Sequence, residues 1–300
     1  MNESVAQQAF FERDPSKSNL YYPTVHARGP WDPSTLHGRV ISGLLAYEAE
    51  TNHNTPQEIE DFQVSRVTVD MFRVPPMAPL MLGGEVVRTG RRIKVIDVHV
   101  TTEYPERGQI EIARATVVML RKTQNPKGTI WTTPKWDINA PDENLPMPHE
   151  IDGRKSIKGH KPIWQTLEVT PGFPHQPIQS GTGGTIGRRR AWIREIHELI
   201  AGEITSPIVR VAQVADVANP FANSGTHGLV YINADVSLYL HRNPEGNWIG
   251  TENSYHGADN GTAIGTVTLY DKIGNIGNAT VCGLAQARIT DISSIPSTIL

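Results

Sequence analysis

One cysteine, Cys282, is all that 300 residues contain. A single thiol excludes an intrachain disulfide and any cysteine-rich zinc site. Long apolar runs are also missing: no stretch approaches the about 18 consecutive apolar residues that a membrane-spanning helix needs. Charge of one sign is missing too, since 28 Lys+Arg against 31 Asp+Glu leave a formal charge of −3. Nothing therefore draws the whole molecule toward nucleic acid or anionic lipid, and neither is expected as a partner. The eleven histidines are scattered without ligand spacing. There is no G-x-x-x-x-G-K-[ST], no G-x-S-x-G and no H-E-x-x-H. The nearest approach to a dinucleotide motif, SGTGGTIG at Ser180 to Gly187, carries Ile186 at its last required glycine. The opening MNESVAQQAFFERD has neither a basic n-region nor an apolar h-region, so it reads as no signal peptide, and a cytoplasmic location is expected.

What is present is enough apolar content for a globular core, 38% of residues before counting 26 glycines. Residues 124–162 hold six prolines and little periodicity, and proline blocks both helix interiors and central strands. That stretch predicts a connection between two units, 1–123 and 163–300. The two halves resemble each other: VTVDMFR (Val67 to Arg73) returns as VSLYLHR (Val236 to Arg242), and Ile-x-x-Ala-Thr-Val at Ile112 to Val117 returns at Ile276 to Val281. Two matches in one order at nearly one offset predict a duplicated unit.

Each unit begins with a helix. His37 to Asn52 places Val40, Ile41, Leu44, Leu45 and Ala49 on one face, and Ser206 to Asn219 does the same with Ile208, Val211, Ala212, Ala215 and Ala218. Ser206 is the expected N-cap, with Pro207 at the first helical position. Period-two strands follow. Val230 to Leu240 puts its even-numbered residues on an apolar face, with Asn233, Asp235, Ser237 and Tyr239 opposite. Further strands are expected at Val64–Met71, Arg92–Thr101, Ile110–Leu120, Thr262–Tyr270 and Ile276–Ala287, with Asp271–Gly274 as a hairpin turn. The fold class predicted is α+β: two apolar helices, each wrapped by an antiparallel sheet, with the sheets joined side by side.

Several segments resemble the double-hotdog acyl-CoA thioesterases of the type II kind. They are GPWDPSTLHGRVISGLLA (Gly29 to Ala46), VVRTGRRIKVIDVHV (Val86 to Val100), ARATVVMLR (Ala113 to Arg121), AWIR (Ala191 to Arg194), VAQVAD (Val211 to Asp216), YINADVSLYLHRNPEGNWIG (Tyr231 to Gly250) and LYDKIGNIGNA (Leu269 to Ala279). The resemblance implies a tandem hotdog fold and hydrolysis of acyl-CoA or another acyl thioester, without metal or redox cofactor, by a cytoplasmic homo-oligomer of fatty acid metabolism. It also implies a catalytic Asp–Thr–Gln set in the second repeat. The Asp matches Asp216. The Thr position holds Asn233, counted back from His241–Arg242, and the Gln position falls at Val281 or Cys282.

Thioester hydrolysis needs an activated water and donors for the developing oxyanion. Asp216 is the candidate base and Asn233 the candidate water-orienting group; with no Gln, a lower rate is expected. Trp31, His37 and Gly38, at the start of the first helix, are candidate substrate contacts, as are Val281 and Cys282. In single-domain relatives an acid follows nine residues after the His; that position is Ala46 here, with Glu48 two residues on. Two rival readings remain. One is a non-catalytic binder of acyl thioesters or hydrophobic ligands, favoured by the lost Gln. The other is an enoyl-thioester hydratase, against which counts the lack of a His following Asp216 on its helix.

Overall fold

The computed structural model describes residues 9–29, 32–134, 136, 139–145, 164–168, 189–225 and 228–286. Two short strands, β1 (Phe11–Arg13) and β2 (Leu20–Pro23), precede helix α1 (Gly38–Asn52) and the one-and-a-half-turn α2 (Pro56–Asp61). Strands β3 (Phe62–Met71), β4 (Leu80–Thr89), β5 (Ile93–Tyr104) and β6 (Gly108–Arg121) complete the first repeat. The second contains β7 (Trp164–Glu168), β8 (Arg190–Glu195), α3 (Pro207–Ala215) and α4 (Ala218–Asn223). A small ribbon of β9 (Ser224–Gly225) and β10 (Gly228–Leu229) leads to β11 (Tyr231–Asn233), β12 (Asp235–Leu240), β13 (Trp248–Asp259), β14 (Thr262–Tyr270) and β15 (Asn275–Ala285).

The sheet runs β1-β2-β4-β5-β6-β3-β12-β15-β14-β13-β8-β7, with β11 also on β15. Its centre is the antiparallel pair β3–β12, in which Val67 faces Leu238 and Val69 faces Val236. These are the residues of the sequence repeat, each pairing with the other's counterpart. The two units thus meet across a local two-fold axis, as copies in a symmetric dimer would.

Helix α1 departs from the one-faced stripe expected of it. Every residue from Arg39 to Ala49 is buried, because the sheet wraps one side and α3 covers the other. Gly43 permits the close crossing: a Cβ there would stand 2.7 Å from Gln213 Cγ of α3. Helix α3 begins as its sequence predicts, with Ser206 Oγ accepting the Val209 amide and Pro207 next. It ends earlier than expected, at Ala215. Pro220 has no N–H for the carbonyl of Asp216, so the turn tightens: Val217 N–H bonds the Val214 carbonyl and Asn219 N–H that of Asp216. Helix α4 then resumes.

The clean alternation of Val230 to Leu240 also breaks. Asn233 lies opposite Gly283 but Ser237 opposite Thr280, so four steps on one strand match three on the other. This bulge at Ala234 turns Asn233 to the helix side, away from the face it would share with Asp235 in a regular strand. A second bulge lies in β13, where Asn253 faces Val267 and Tyr255 faces Thr266.

The described part of the Pro-rich connection, up to residue 145, forms no helix or strand; residues 146–163 lie outside the described residues. It packs on the outer face of the second repeat's part of the sheet. Trp136 stacks on Tyr270 with ring centroids 4.2 Å apart, meets Trp192 edge-on and donates its indole N–H to Glu252. Strand β8 is consequently buried on both faces from Ala191 to Glu195. Among the described residues no helix is long and apolar enough to cross a membrane.

Candidate active site

The tightened turn between α3 and α4 holds Asp216, 6% exposed and pointed across the repeat boundary. Asn233 Nδ2, brought inward by the bulge, donates to Asp216 Oδ1 at 2.9 Å. On the other side, His37 Nδ1 lies 3.3 Å from Asp216 Oδ2. His37 is the N-cap of α1, and the same nitrogen stands 3.2 Å from the Arg39 amide. A ring nitrogen accepts when bare and donates when protonated, so only one of these two contacts is a hydrogen bond at a time. A Cβ on Gly38 would be 3.4 Å from both carboxylate oxygens and 3.3 Å from Met71 Cε. The carboxylate thus lies directly against the first turn of α1. That turn contains no acidic residue of its own; its Val40 N–H bonds the His37 carbonyl, and those of Gly38 and Arg39 lie ahead of the backbone ladder. Asp216 supplies the negative charge that the helix terminus favours.

One residue further into α1, Arg39 donates Nη1 to Glu195 of β8, and both side chains are buried. Burial pushes the Glu195 carboxyl up and Arg39 draws it back down. Arg39 also lies over the Phe10 ring, 4.7 Å from its centroid.

The remaining sequence candidates divide. Val281 lies on the helix side of β15, fully buried in the core, and has no amide to offer. Cys282 faces the other way. Its backbone N–H donates to Asp235 Oδ1, and burial together with Asp235 pushes its thiol up to about 11. A thiol so raised is protonated at neutral pH and is no nucleophile. Trp31 lies outside the described residues. Glu48 does not join Asp216; its carboxylate takes a hydrogen bond from Asn52 and is paired with His53. The counterpart of Asp216 in the first repeat is Tyr47, whose hydroxyl donates to Glu203 at 2.8 Å, with Arg13 closing the cluster.

Sequence reasoning passed over three polar residues. Asn219 and Asn223 follow Asp216 at i+3 and i+7, a polar stripe on an otherwise apolar helix face, and both are buried. Asn219 Nδ2 donates to Asn233 Oδ1 at 3.3 Å and to the Tyr231 carbonyl at 3.0 Å. Asn223 Nδ2 donates to Asn219 Oδ1, and His256 Nδ1 meets Asn223 Oδ1 at 2.9 Å. The i, i+3, i+7 spacing was visible in the sequence; the join with His256 was not. Among the described residues no group of His, Cys, Asp and Glu is arranged to hold a metal ion.

Comparison with known proteins gives the following. Residues 27–120 match the family described as the acyl-CoA thioesterase N-terminal domain, and residues 141–280 the acyl-CoA thioesterase C-terminal domain. Among solved structures, the acyl-CoA thioesterase II TesB2 from Mycobacterium marinum superposes with a TM-score of 0.57 at 14% identity, covering 96% of this chain and all of that one. A tesB protein from Mycobacterium avium subspecies paratuberculosis gives 0.59 at 12% identity, covering 94% and 97%. A hotdog-fold protein of unknown function from Alicyclobacillus acidocaldarius gives 0.62 at 12% identity, covering 96% and 100%. At such identities the likeness shows the fold alone, a tandem hotdog. No match was found among curated proteins.

Proposed function

The chain belongs to the acyl-CoA thioesterase family, and we propose that it hydrolyses an acyl-CoA or related acyl thioester with Asp216 as the general base. The observation that carries this reading is the Asp216 carboxylate itself, buried, facing the first turn of α1 and held by Asn233. Water held by Asp216 attacks the thioester carbonyl carbon as the carboxylate takes its proton. The carbonyl oxygen becomes an oxyanion, for which the Gly38 amide at the start of α1 is a donor. Collapse breaks the C–S bond, releasing the free acid, and the thiolate takes a proton to leave as CoA. Asn233, in the position of the family's Thr, keeps the Asp216 carboxylate directed by donating to it. Val281 provides no amide for the water, so its placement rests on fewer groups and turnover is expected to be slow. His37, Gly38 and Met71 line the same face as substrate contacts from the first repeat. We place the enzyme in the cytoplasm as a homo-oligomer joined through an open sheet edge, where an unpaired strand invites a partner.

The test is free-thiol release from a panel of short, long and aromatic acyl-CoAs, with enzyme-only blanks for Cys282. Turnover lost in Asp216→Asn supports the reading and names the acyl class. Binding without turnover on every thioester would instead indicate a non-catalytic binder.

A second reading has a specific observation behind it. His37 stands beside Asp216, so an acid–imidazole pair exists although the Asp216 helix has no His. Such a pair suits water addition to an enoyl thioester. Loss of the enoyl absorbance without thiol release would identify that activity.

A further inference from the structure

Four side-chain amide and imidazole links run from Asp216 to the surface, each donating toward the carboxylate. The Nδ2 of Asn233 donates to Asp216, that of Asn219 to Asn233, that of Asn223 to Asn219, and His256 Nδ1 to Asn223 Oδ1, at 2.9, 3.3, 3.0 and 2.9 Å. The direction is fixed at two points. A carboxylate accepts only, so Asn233 must present its NH2 to Asp216. Asn219 also donates to the Tyr231 carbonyl, which sets its amide the same way. Asn223 must then donate inward and turn its oxygen outward, where His256 must carry hydrogen on Nδ1.

The surrounding backbone makes room for this ladder. A Cβ at Gly265 of β14 would stand 2.7 Å from Asn223 Oδ1, and one at Gly283 of β15 would stand 3.7 Å from its Nδ2. Gly265 lies directly opposite His256. Both ends of the ladder arrive through bulges: the one at Ala234 aims Asn233 inward, and the one in β13 moves the inward position from Tyr255 to His256.

We infer that Asn219, Asn223 and His256 are positioning residues, a polarised ladder that orients Asn233 and through it Asp216, with His256 as the solvent-facing end. The inference rests on Asp216 being the base. Each link raises the donor strength of the next, because a hydrogen-bonded amide is polarised by its neighbour. None of the three reaches the carboxylate directly. Their contribution belongs to kcat, leaving acyl-thioester affinity unchanged.

The test is a double-mutant cycle on thioester hydrolysis, because a residue acting through Asn233 loses its effect once Asn233 is gone. Asn223→Ala is expected to lower kcat about tenfold, the scale of one lost hydrogen bond, with KM within about twofold. In an Asn233→Ala background the same change is expected to cost less than about twofold. His256→Asn, whose amide nitrogen can stand where Nδ1 does, is expected to keep the rate, and His256→Leu to lose it; both sit at an exposed position. Gly265→Ala, which keeps every relay side chain but displaces Asn223, is expected to resemble Asn223→Ala. Equal losses in both backgrounds, or an unchanged kcat in Asn223→Ala, overturn the ladder while leaving Asp216 as base. Full turnover by Asp216→Asn overturns the base assignment, and the ladder's catalytic role with it.

A readout without turnover completes the test. In nitrogen-edited spectra, Asp216→Asn removes the negative charge at the inner end and is expected to shift the Asn219 and Asn223 side-chain amides and the His256 ring nitrogens together. A His256 ring that starts with its hydrogen on Nε2, or that does not respond, overturns the ladder even if no acyl-CoA is turned over.

Discussion

Replacing Arg39 by Met should cost far more stability than replacing Arg39 and Glu195 together. Both side chains of this pair are buried, 0% and 2% exposed, and they tie α1 of the first repeat to β8 of the second. Removing the guanidinium leaves a carboxylate out of water without its directly bonded opposite charge, a loss of about 3–5 kcal/mol for a buried pair. At roughly 2 °C per kcal/mol for a chain of this size, the melting temperature falls by about 6–10 °C. The pair is also incompletely satisfied: Glu195 Oε2 has no hydrogen-bond partner among the described residues. Its Coulombic gain therefore does not fully offset desolvation. Arg39→Met with Glu195→Met should return to within about 1 kcal/mol of wild type, or exceed it.

The pH dependence of the single variant gives a second check. Burial raises the Glu195 carboxyl, and Arg39→Met removes the strongest of the groups drawing it back. A carboxyl raised on folding favours the folded state while protonated. Stability of Arg39→Met should therefore be highest near or below the ordinary carboxyl value of about 4.5 and fall as pH rises above it. The assay is urea unfolding at pH 5 and pH 8 for wild type, both single variants and the double. A double variant as unstable as the singles would refute the argument, as would an Arg39→Met protein more stable at pH 8 than at pH 5.

Two further outcomes follow from other buried groups. Gln213 is 0% exposed at the α1–α3 crossing, and neither amide atom has a partner among the described residues; Gln213→Met should raise stability by about 1–2 kcal/mol in the same unfolding assay, and a fall would show that the amide is satisfied in solution. The Cys282 thiol, pushed up to about 11, should alkylate slowly at pH 7 and gain nearly tenfold per pH unit up to that value; rapid labelling at pH 7 would contradict its burial beside Asp235.

How much of this was legible in the chain differs by element. The start of α3 was legible because Ser206 and Pro207 act locally, through a cap and a fixed φ. The β3–β12 pairing was foreshadowed by the repeat, since those two segments are each other's counterparts. Strand β4 went unread: Gly83 and Gly84 interrupt its alternation, and it tolerates them because His99 and Asp97 of β5 approach where their Cβ atoms would be. Strand β13 went unread because Trp136 and the connection cover its outer face, leaving no polar alternation at its start.

At the site, resemblance located Asp216 and Asn233 in the sequence, but a strict period of two placed Asn233 on the face opposite the helix. A one-residue bulge, which has no fixed sequence signature, decides that orientation. The approach of His37 to Asp216 was likewise unreadable from spacing, because the two residues are 179 apart and meet only through the antiparallel packing of α1 on α3.

The central claim is that Asp216 is the base of a thioester hydrolase. The direct measurement is kcat for CoA release by Asp216→Asn against wild type on the best acyl-CoA, with dissociation constants for the same ligand measured in parallel. The account predicts a fall in kcat of about 10²–10⁴-fold, the scale of general base catalysis, with affinity within about threefold. An Asp216→Asn enzyme that turns over at the wild-type rate would contradict it.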